Sequence, residues 1–443
     1  MRYSLNVYGC GVKCLAQAFL SDQLGIKCWR MWTQITEQMF YKDHMTQINP
    51  KKRESIKNTI TNIFNNTILN KYTASFKSPD YVNFEKLAKE ISKNNDFQMD
   101  QISSMFLYLD ATAYYNKFIK PTQEPTTDLE KLDAEEKNNF IDFICEFYLK
   151  YPFPYTIKIP LNHLELPSYS DGETINISYT KLATATRGFG SLGASNIAKT
   201  NVVIPAIGYY SVYEKEYFIK ETTLSLNVLI YALRENEIIK RNRNKSIQNA
   251  MHWSPIFEKR HQIIDHTAII VNDYYPAEED EYSFPIPYAK FLSELEMCDD
   301  MANQTFQEKA LETIKETSML LDNESVEAKN IVSAIDWCVQ SEINLDITMG
   351  FIQTCMGLEA LLGDNSNEAG LTLTLTDRCA YLIGKGMTER SEIKKDFKAI
   401  YQLRSKLVHG RVNKISPKDR VLCGKATKYL KRAIQKELTH LFE

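Results

Sequence analysis

From residue 304 to 442 the apolar residues return at intervals of three and four with only short breaks, and a stretch of that length and period folds as a set of packed helices. The period divides into six candidate helices, at 304–321, 325–343, 346–362, 373–384, 389–409 and 417–442. Each shows one apolar stripe, so each must bury that stripe against a neighbour, and short connections favour an antiparallel bundle. The last start is the best signalled: Ser416 stands as N-cap, Pro417 at the first helical position and Asp419 three residues after the cap. Residues 363–367, Gly-Asp-Asn-Ser-Asn, read as a loop by composition.

Ahead of the bundle the period changes from 3.6 to 2. Residues 155–159 and 175–179 alternate apolar and polar as half-buried strands do, and 202–204, 209–213 and 267–271 are further β-rich runs. Residues 1 to about 150 carry helical segments, among them 53–69 and 129–151, separated by Asn-, Lys- and Ser-rich connectors. At 443 residues two or three domains are expected. The fold class is α+β: a mainly helical region at 1–151, a β-rich middle domain at 152–299 suited to sensing or regulation, and an all-α bundle at 300–443.

Several local patterns carry less chemistry than they suggest. Gly188, Gly190 and Gly193 have dinucleotide-binding spacing, yet that fingerprint needs a helix directly behind the glycines, and Val202, Val203, Ile204 and Pro205 leave no room for one. A turn between strands is the better reading. Cys10, Cys14, Cys28 and His44 lack the Cys-x2-Cys pairing of a zinc knuckle, so no metal is expected there. The nine cysteines sit mostly inside apolar helical patterns, as reduced thiols used as small hydrophobes do. The start lacks the apolar run of a signal peptide and no window approaches bilayer length, so the chain reads as cytoplasmic, with no membrane partner. Hydrophobic content of 44% and charged content of 25% are ordinary for a globular protein, and the net charge of -3 excludes a uniformly basic nucleic-acid coat. Any nucleic-acid contact must be local. Lys240, Arg241, Arg243 and Lys245, following a candidate helix at 226–239, form the densest basic tract and are candidates to lean on a phosphate backbone, against the alternative of a solvated loop.

The sharpest anomaly lies in the fifth helix of the bundle. Ile393, Phe397, Ile400, Leu403, Leu407 and Val408 make its apolar stripe, and stepping about 100° per residue from Ile393 puts Arg404 at roughly 20°, inside that stripe. A guanidinium there must find a carboxylate, a backbone cluster or an anionic ligand, because an unpaired buried charge is too costly. His409 falls at roughly 160° on the same count, off the stripe and in the last turn, and Gly410 supplies the stop. On one ideal helix the two side chains do not face one point. The frayed last turn, or a second copy of the helix across a two-fold axis, allows them to meet.

Arg404-Ser405-Lys406-Leu407-Val408-His409-Gly410 resembles the signature of the HEPN superfamily, specifically its ApeA-like branch: Arg, a polar residue, three more residues, then His and Gly. Many members carry Asn, Asp or His after the arginine, and Ser405 is a smaller substitute. The resemblance spans the last third of the chain and extends to residues 357–362, 377–380 and 400–403; the β-rich region ahead of the helices is similar to the general ApeA layout. A second Arg-to-His spacing, Arg260 to His266, is read as accidental.

The resemblance implies a metal-independent endoribonuclease without cofactor, a homodimer through the helical domain, acting in antiviral defence or abortive infection once a phage-derived or cellular trigger releases it. The chemistry suits the residue types. An imidazole titrates near neutral pH and can accept the proton of a ribose 2′-hydroxyl, which makes His409 the candidate base. A planar guanidinium can meet two oxygens of a phosphate gathering negative charge, which makes Arg404 the candidate stabiliser. Ser405 stands as a phosphate donor, Lys406 and Arg411 as backbone-steering cations, and Glu359 or Asp377 as the carboxylate that holds Arg404. RNA is the implied partner, with tRNA suggested because related superfamily nucleases attack anticodon loops. The alternative is a non-catalytic HEPN bundle used for dimerisation or nucleotide binding.

Overall fold

The computed structural model describes residues 50–443 apart from 71–73, 78–79, 94–96, 120–125, 128–132, 162–163, 189–190, 211–214, 244–265, 277–278 and 364–370. Cys10, Cys14, Cys28, His44, Lys245 and Arg260 therefore lie outside the described residues, as does most of the loop expected at 363–367. The chain divides into two compact units, Met1–Lys150 and Tyr151–Glu443. The boundary expected near residue 300 falls inside the second, so the sheet and the helical bundle share one unit.

In the first unit, helices α1 (Pro50–Asn65), α2 (Tyr81–Ser92), α3 (Gln101–Tyr114, extended by a π-turn) and α4 (Ala134–Leu149) surround an aromatic core that includes Phe64, Phe84, Tyr108 and Phe140. Three of the helices start on aspartate caps, Asp80, Asp100 and Asp133, each accepting a backbone N–H of the first turn. A three-stranded antiparallel sheet of order β2-β1-β3, formed by β1 (Thr67–Asn70), β2 (Ala74–Phe76) and β3 (Thr126–Thr127), was not expected from the sequence. Its strands are two to four residues long, too short to show a period.

The second unit opens on the expected β-rich segment. Strands β4 (Phe153–Pro160), β5 (Asn176–Gly188), β6 (Ser191–Gly208), β8 (Thr267–Asn272) and β9 (Glu279–Ser283) form one antiparallel sheet of order β5-β6-β4-β8-β9. β7 (Ile239–Arg241) pairs instead with β10 (Leu295–Met297). Alternation sets the buried face of β4, where Phe153, Tyr155, Ile157 and Ile159 point inward. Ile157 is flanked in register by Ile204 and Ile270, a row of buried β-branched side chains across three strands. Gly188 pairs with Ser191, so the glycine pattern falls where β5 gives way to β6 and no helix follows it; Phe189 and Gly190 lie outside the described residues.

Helix α5 (Lys215–Glu235) packs on β6 and on two helices of the bundle, which ties sheet and bundle together. It ends three residues before β7, where a continuous helix to residue 239 was expected. Glu237 takes φ 55°, the Ile238 N–H reaches Leu233 O and the Glu237 N–H reaches Arg234 O, a left-handed stop closed by two backbone bonds. The positions that meet across such a stop hold Leu233 and Ile238, both buried, so the apolar contact outweighs the strain of a non-glycine at positive φ.

After α6 (Ile286–Ser293) come α7 (Gln304–Leu321), α8 (Val326–Ile343), α9 (Ile347–Leu362), α10 (Leu371–Ile383), α11 (Met387–Val408) and α12 (Arg420–Phe442), within three residues of the expected bounds at every end. Helix α9 packs closely on its neighbours at Gly350, where an added Cβ would sit 2.8 Å from Ser341 O, and at Gly357, where it would sit 2.9 Å from Leu430 Cδ2 and 3.3 Å from Ala334 O. Helices α11 and α12 are clamped by Asp396, whose buried carboxylate accepts from Lys425 Nζ at 2.7 Å and from the Tyr429 hydroxyl at 2.6 Å. The N-cap expected at Ser416 is corrected. Its hydroxyl donates to Asp419 Oδ2 at 2.6 Å instead of accepting a helical N–H, and a turn occupies 417–419 before the helix proper.

Candidate active site at the end of helix α11

Helix α11 buries the stripe that its sequence lays out. Ile393, Phe397, Ile400, Leu403 and Leu407 are buried, with Phe397 stacked on Tyr401 at 5.1 Å between ring centroids. Val408, assigned to the same stripe, is 49% exposed, because the helix ends there.

Arg404 sits at the edge of this stripe with its side chain 30% exposed, and the carboxylate required by that position is Glu359 on α9. Arg404 Nη2 donates to Glu359 Oε2 at 3.1 Å. The other expected carboxylate, Asp377, is taken by Lys394 at 2.8 Å. One oxygen of Glu359 therefore holds one nitrogen of the guanidinium, and Arg404 Nε stays buried without a hydrogen-bond partner. A guanidinium fixed at one nitrogen keeps donors for a second acceptor.

Two further groups surround the pair. Tyr401, three residues before Arg404 and so on the same helical face, is 7% exposed, and its hydroxyl lies beside Glu359 without closing a hydrogen bond of normal geometry. Cys355, one turn before Glu359 on α9, is buried. Burial raises the Glu359 carboxyl above its ordinary pKa, and the opposing pull of Arg404 does not cancel the shift. The same burial, with the Glu359 charge adding to it, pushes the Tyr401 hydroxyl and the Cys355 thiol well up. The site is drier than a surface ion pair, which strengthens any charge interaction made there. Neither Tyr401 nor Cys355 was singled out from the sequence. The i, i+3 step from Tyr401 to Arg404 and the i, i+4 step from Cys355 to Glu359 were the available signals.

His409 is the C-cap of α11 and is exposed. Gly410 follows at φ 67°, its N–H bonded to Leu407 O at 3.1 Å, and the Arg411 N–H reaches back to Lys406 O at 2.9 Å. These two bonds make a Schellman stop that holds the backbone on both sides of His409. Ser405, Lys406 and Arg411 are exposed around it. Arg404 thus turns toward α9 while His409 stands at the open end of the helix, the divergence that five steps of about 100° prescribe.

The second basic tract behaves differently. Arg241 Nε donates to the buried carboxylate of Glu294 at 2.7 Å, its Nη1 donates to Glu342 O at 2.8 Å, and its guanidinium lies 4.8 Å from the Phe291 ring centroid. Lys240 pairs with Glu296 at 3.4 Å. Arg241 is therefore corrected from a phosphate contact to a strut of the β7–β10 pair, since leaving Glu294 would strand a buried carboxylate. Arg243 is exposed. His266 is buried just before β8, where desolvation lowers its pKa.

A cleft of about 600 Å³ lies elsewhere in the unit, where α5, α6, α8 and α9 meet β9, and none of the motif residues lines it. Its wall carries an amide network: Asn227 Nδ2 donates to Asp336 Oδ1 at 2.7 Å, Tyr288 donates to Asn227 Oδ1 at 2.8 Å and Gln340 donates to Asp336 Oδ2 at 2.7 Å. Among the described residues no group of three or more His, Cys, Asp or Glu is placed to hold a metal ion, and no helix is long and apolar enough to cross a membrane.

No protein-family model, curated protein or solved structure matches this chain.

Proposed function

We propose that the chain is an endoribonuclease of the HEPN kind, in which Arg404 and His409 cleave RNA through its own 2′-hydroxyl. The observation that carries this reading is Arg404: a guanidinium set into an apolar seam, held at one nitrogen by Glu359, with a buried Nε to spare, five residues before an exposed His409 at a glycine-stopped helix end. In the reaction the His409 imidazole takes the 2′-hydroxyl proton, the 2′-oxygen bonds to phosphorus, and the P–O bond to the 5′-oxygen breaks, that oxygen taking a proton from water as His409 returns its own to solvent. The Arg404 donors meet the charge that grows on the non-bridging oxygens. The products are a 2′,3′-cyclic phosphate and a 5′-hydroxyl, and DNA, lacking the nucleophile, survives. No bound metal is called for, because the nucleophile comes from the substrate. Ser405, exposed beside Arg404, is the proposed donor to a phosphate oxygen, and a homodimer would bring a second copy of the motif to the divergent pair. A role in antiviral defence or abortive infection, with tRNA among the RNAs attacked, rests on the resemblance alone.

A second reading is a HEPN bundle that binds a nucleotide without cutting RNA, and it is favoured by the amide-lined cleft around Asn227 and Gln340. Labelled RNA incubated with the protein in EDTA separates the two. Cyclic-phosphate ends that disappear in both Arg404→Ala and His409→Ala, by about 100-fold or more, support the nuclease. Cleavage at the parental rate in either variant refutes the assignment, and nucleotide binding without cleavage supports the second reading.

A further inference from the structure

Residues 404–436 hold eleven Lys or Arg against one acid, Asp419, in a chain whose net charge is -3. Four of these cations are spent inside the fold: Arg404 on Glu359, Lys425 on Asp396, Lys431 on Glu235 and Glu342, and Arg432 on Glu389. The five between 406 and 420, namely Lys406, Arg411, Lys414, Lys418 and Arg420, are exposed, and none is in an ion pair with a described residue. Arg411, Lys414, Lys418 and Arg420 occupy one short connection, which begins at the Gly410 stop and ends at the first residue of α12, and Lys406 lies just ahead of it in the last turn of α11.

That connection is fixed in place. Ile415 is buried and its N–H bonds to Thr348 Oγ1 at 3.3 Å, pinning the segment to the first turn of α9, while Ser416 and Asp419 close the turn before α12. Lys414 and Lys418, both exposed, flank this anchor in sequence. The Gly410 stop adds a second argument. In such a stop the residues bonded by the longer backbone bond come together side by side, and an apolar contact between them is usual. At the Glu237 stop these positions hold two buried apolar residues, Leu233 and Ile238. At Gly410 the same two positions hold Lys406 and Arg411. Like charges are held together at a point where the fold would favour two apolar residues, and a polyanion offsets that repulsion.

We infer that the connection between α11 and α12 is the RNA-docking surface of the protein, a rigid track of unpaired cations that leads the phosphate backbone to His409. The inference deepens the nuclease reading and rests on it for the identity of the polyanion. It also replaces the tract at 240–245, whose Arg241 is committed to Glu294. Track length suits a few phosphates, with single-stranded RNA as the probe because its backbone can follow an irregular loop.

The test uses the full chain and a labelled single-stranded RNA of mixed sequence, with binding measured in EDTA against salt concentration in the His409→Ala background so that the probe survives. Replacing Lys414, Lys418 and Arg420 together by Gln should weaken binding about tenfold or more at moderate salt and flatten the salt dependence by about two in log-log slope, since each lost phosphate contact removes roughly 0.7 on a single strand. Lys240→Gln with Arg243→Gln should change neither. All three replaced residues are exposed, so the thermal midpoint should hold, and a circular-dichroism melt checks that. Binding by the triple variant at parental affinity and slope overturns the inference, as does loss of affinity only for vesicles containing anionic lipid and not for RNA. Cleavage is read separately with His409 intact. Parental cutting with an unchanged KM in the triple variant sinks the docking surface and leaves the nuclease standing; RNA binding that depends on the track in a protein that never cuts does the reverse.

Discussion

Arg404 is understood through the carboxylate that holds it. Glu359 is 23% exposed, and its folded-state pKa lies above the ordinary carboxyl value because burial disfavours the anion more than Arg404 favours it. An acid raised in this way binds more protons folded than unfolded across the window between the two values, so its contribution to stability falls as pH rises through that window and stays low above it. Unfolding in urea at pH values from 4.5 to 8 should therefore show the parent losing stability relative to Glu359→Gln as pH rises, whereas parallel curves would contradict the shift. The Gln side chain still accepts from Arg404, so Glu359→Gln should keep the fold. Glu359→Leu, which leaves the guanidinium alone in a half-dry seam, should cost about 1–2 kcal/mol. The sequence placed Arg404 on the apolar seam by periodicity alone. It offered Glu359 and Asp377 equally as partners, and only the packing of α9 against α11, with Lys394 taking Asp377, decides between them. Arg241 failed as a phosphate contact for the same reason: Glu294 is fifty-three residues away in sequence, so no local pattern could reveal the pair.

At the level of the element, α11 shows what a sequence signals well and what it does not. Its bounds were expected at 389–409 and lie at Met387–Val408, because the apolar stripe and the glycine after it are both local signals. The start of α12 was misplaced by three residues because the Ser416 hydroxyl donates to Asp419 where a cap would accept a helical N–H. The short strands β1, β2, β3, β7 and β10 lay below the length at which alternation can be read. Gly410 makes the stop itself testable. An added Cβ would meet nothing within 4 Å, so the cost of Gly410→Ala is conformational rather than steric, the strain of φ 67° in an L-residue. It should lower stability by about 1 kcal/mol, with Gly410→Asn costing less because asparagine tolerates that region. If the stop also aims His409, Gly410→Ala should reduce RNA cutting beyond any loss of folded protein, as measured by initial rates normalised to the folded fraction.

The whole molecule must reconcile an Arg404 that faces α9 with a His409 that faces solvent. Within one chain the two directions diverge by about 140°, five helical steps, and a two-fold axis through the end of α11 would bring the second copy's His409 toward the first copy's Arg404. Exposed Val408 beside the motif is the kind of side chain such a contact would cover. This arrangement has a numerical signature. In a heterodimer of Arg404→Ala with His409→Ala, one composite site has lost both groups and the other keeps both. Random mixing makes about half of all dimers heterodimers, so two inactive proteins, unfolded and refolded together, should recover about a quarter of the parental rate. If each chain instead builds its site from its own pair, every site in the mixture lacks one group and no activity returns. Dimer mass measured by light scattering fixes the stoichiometry that this arithmetic assumes, and a monomer at working concentration would leave the divergence to be closed by the His409 turn itself, with no rescue on mixing.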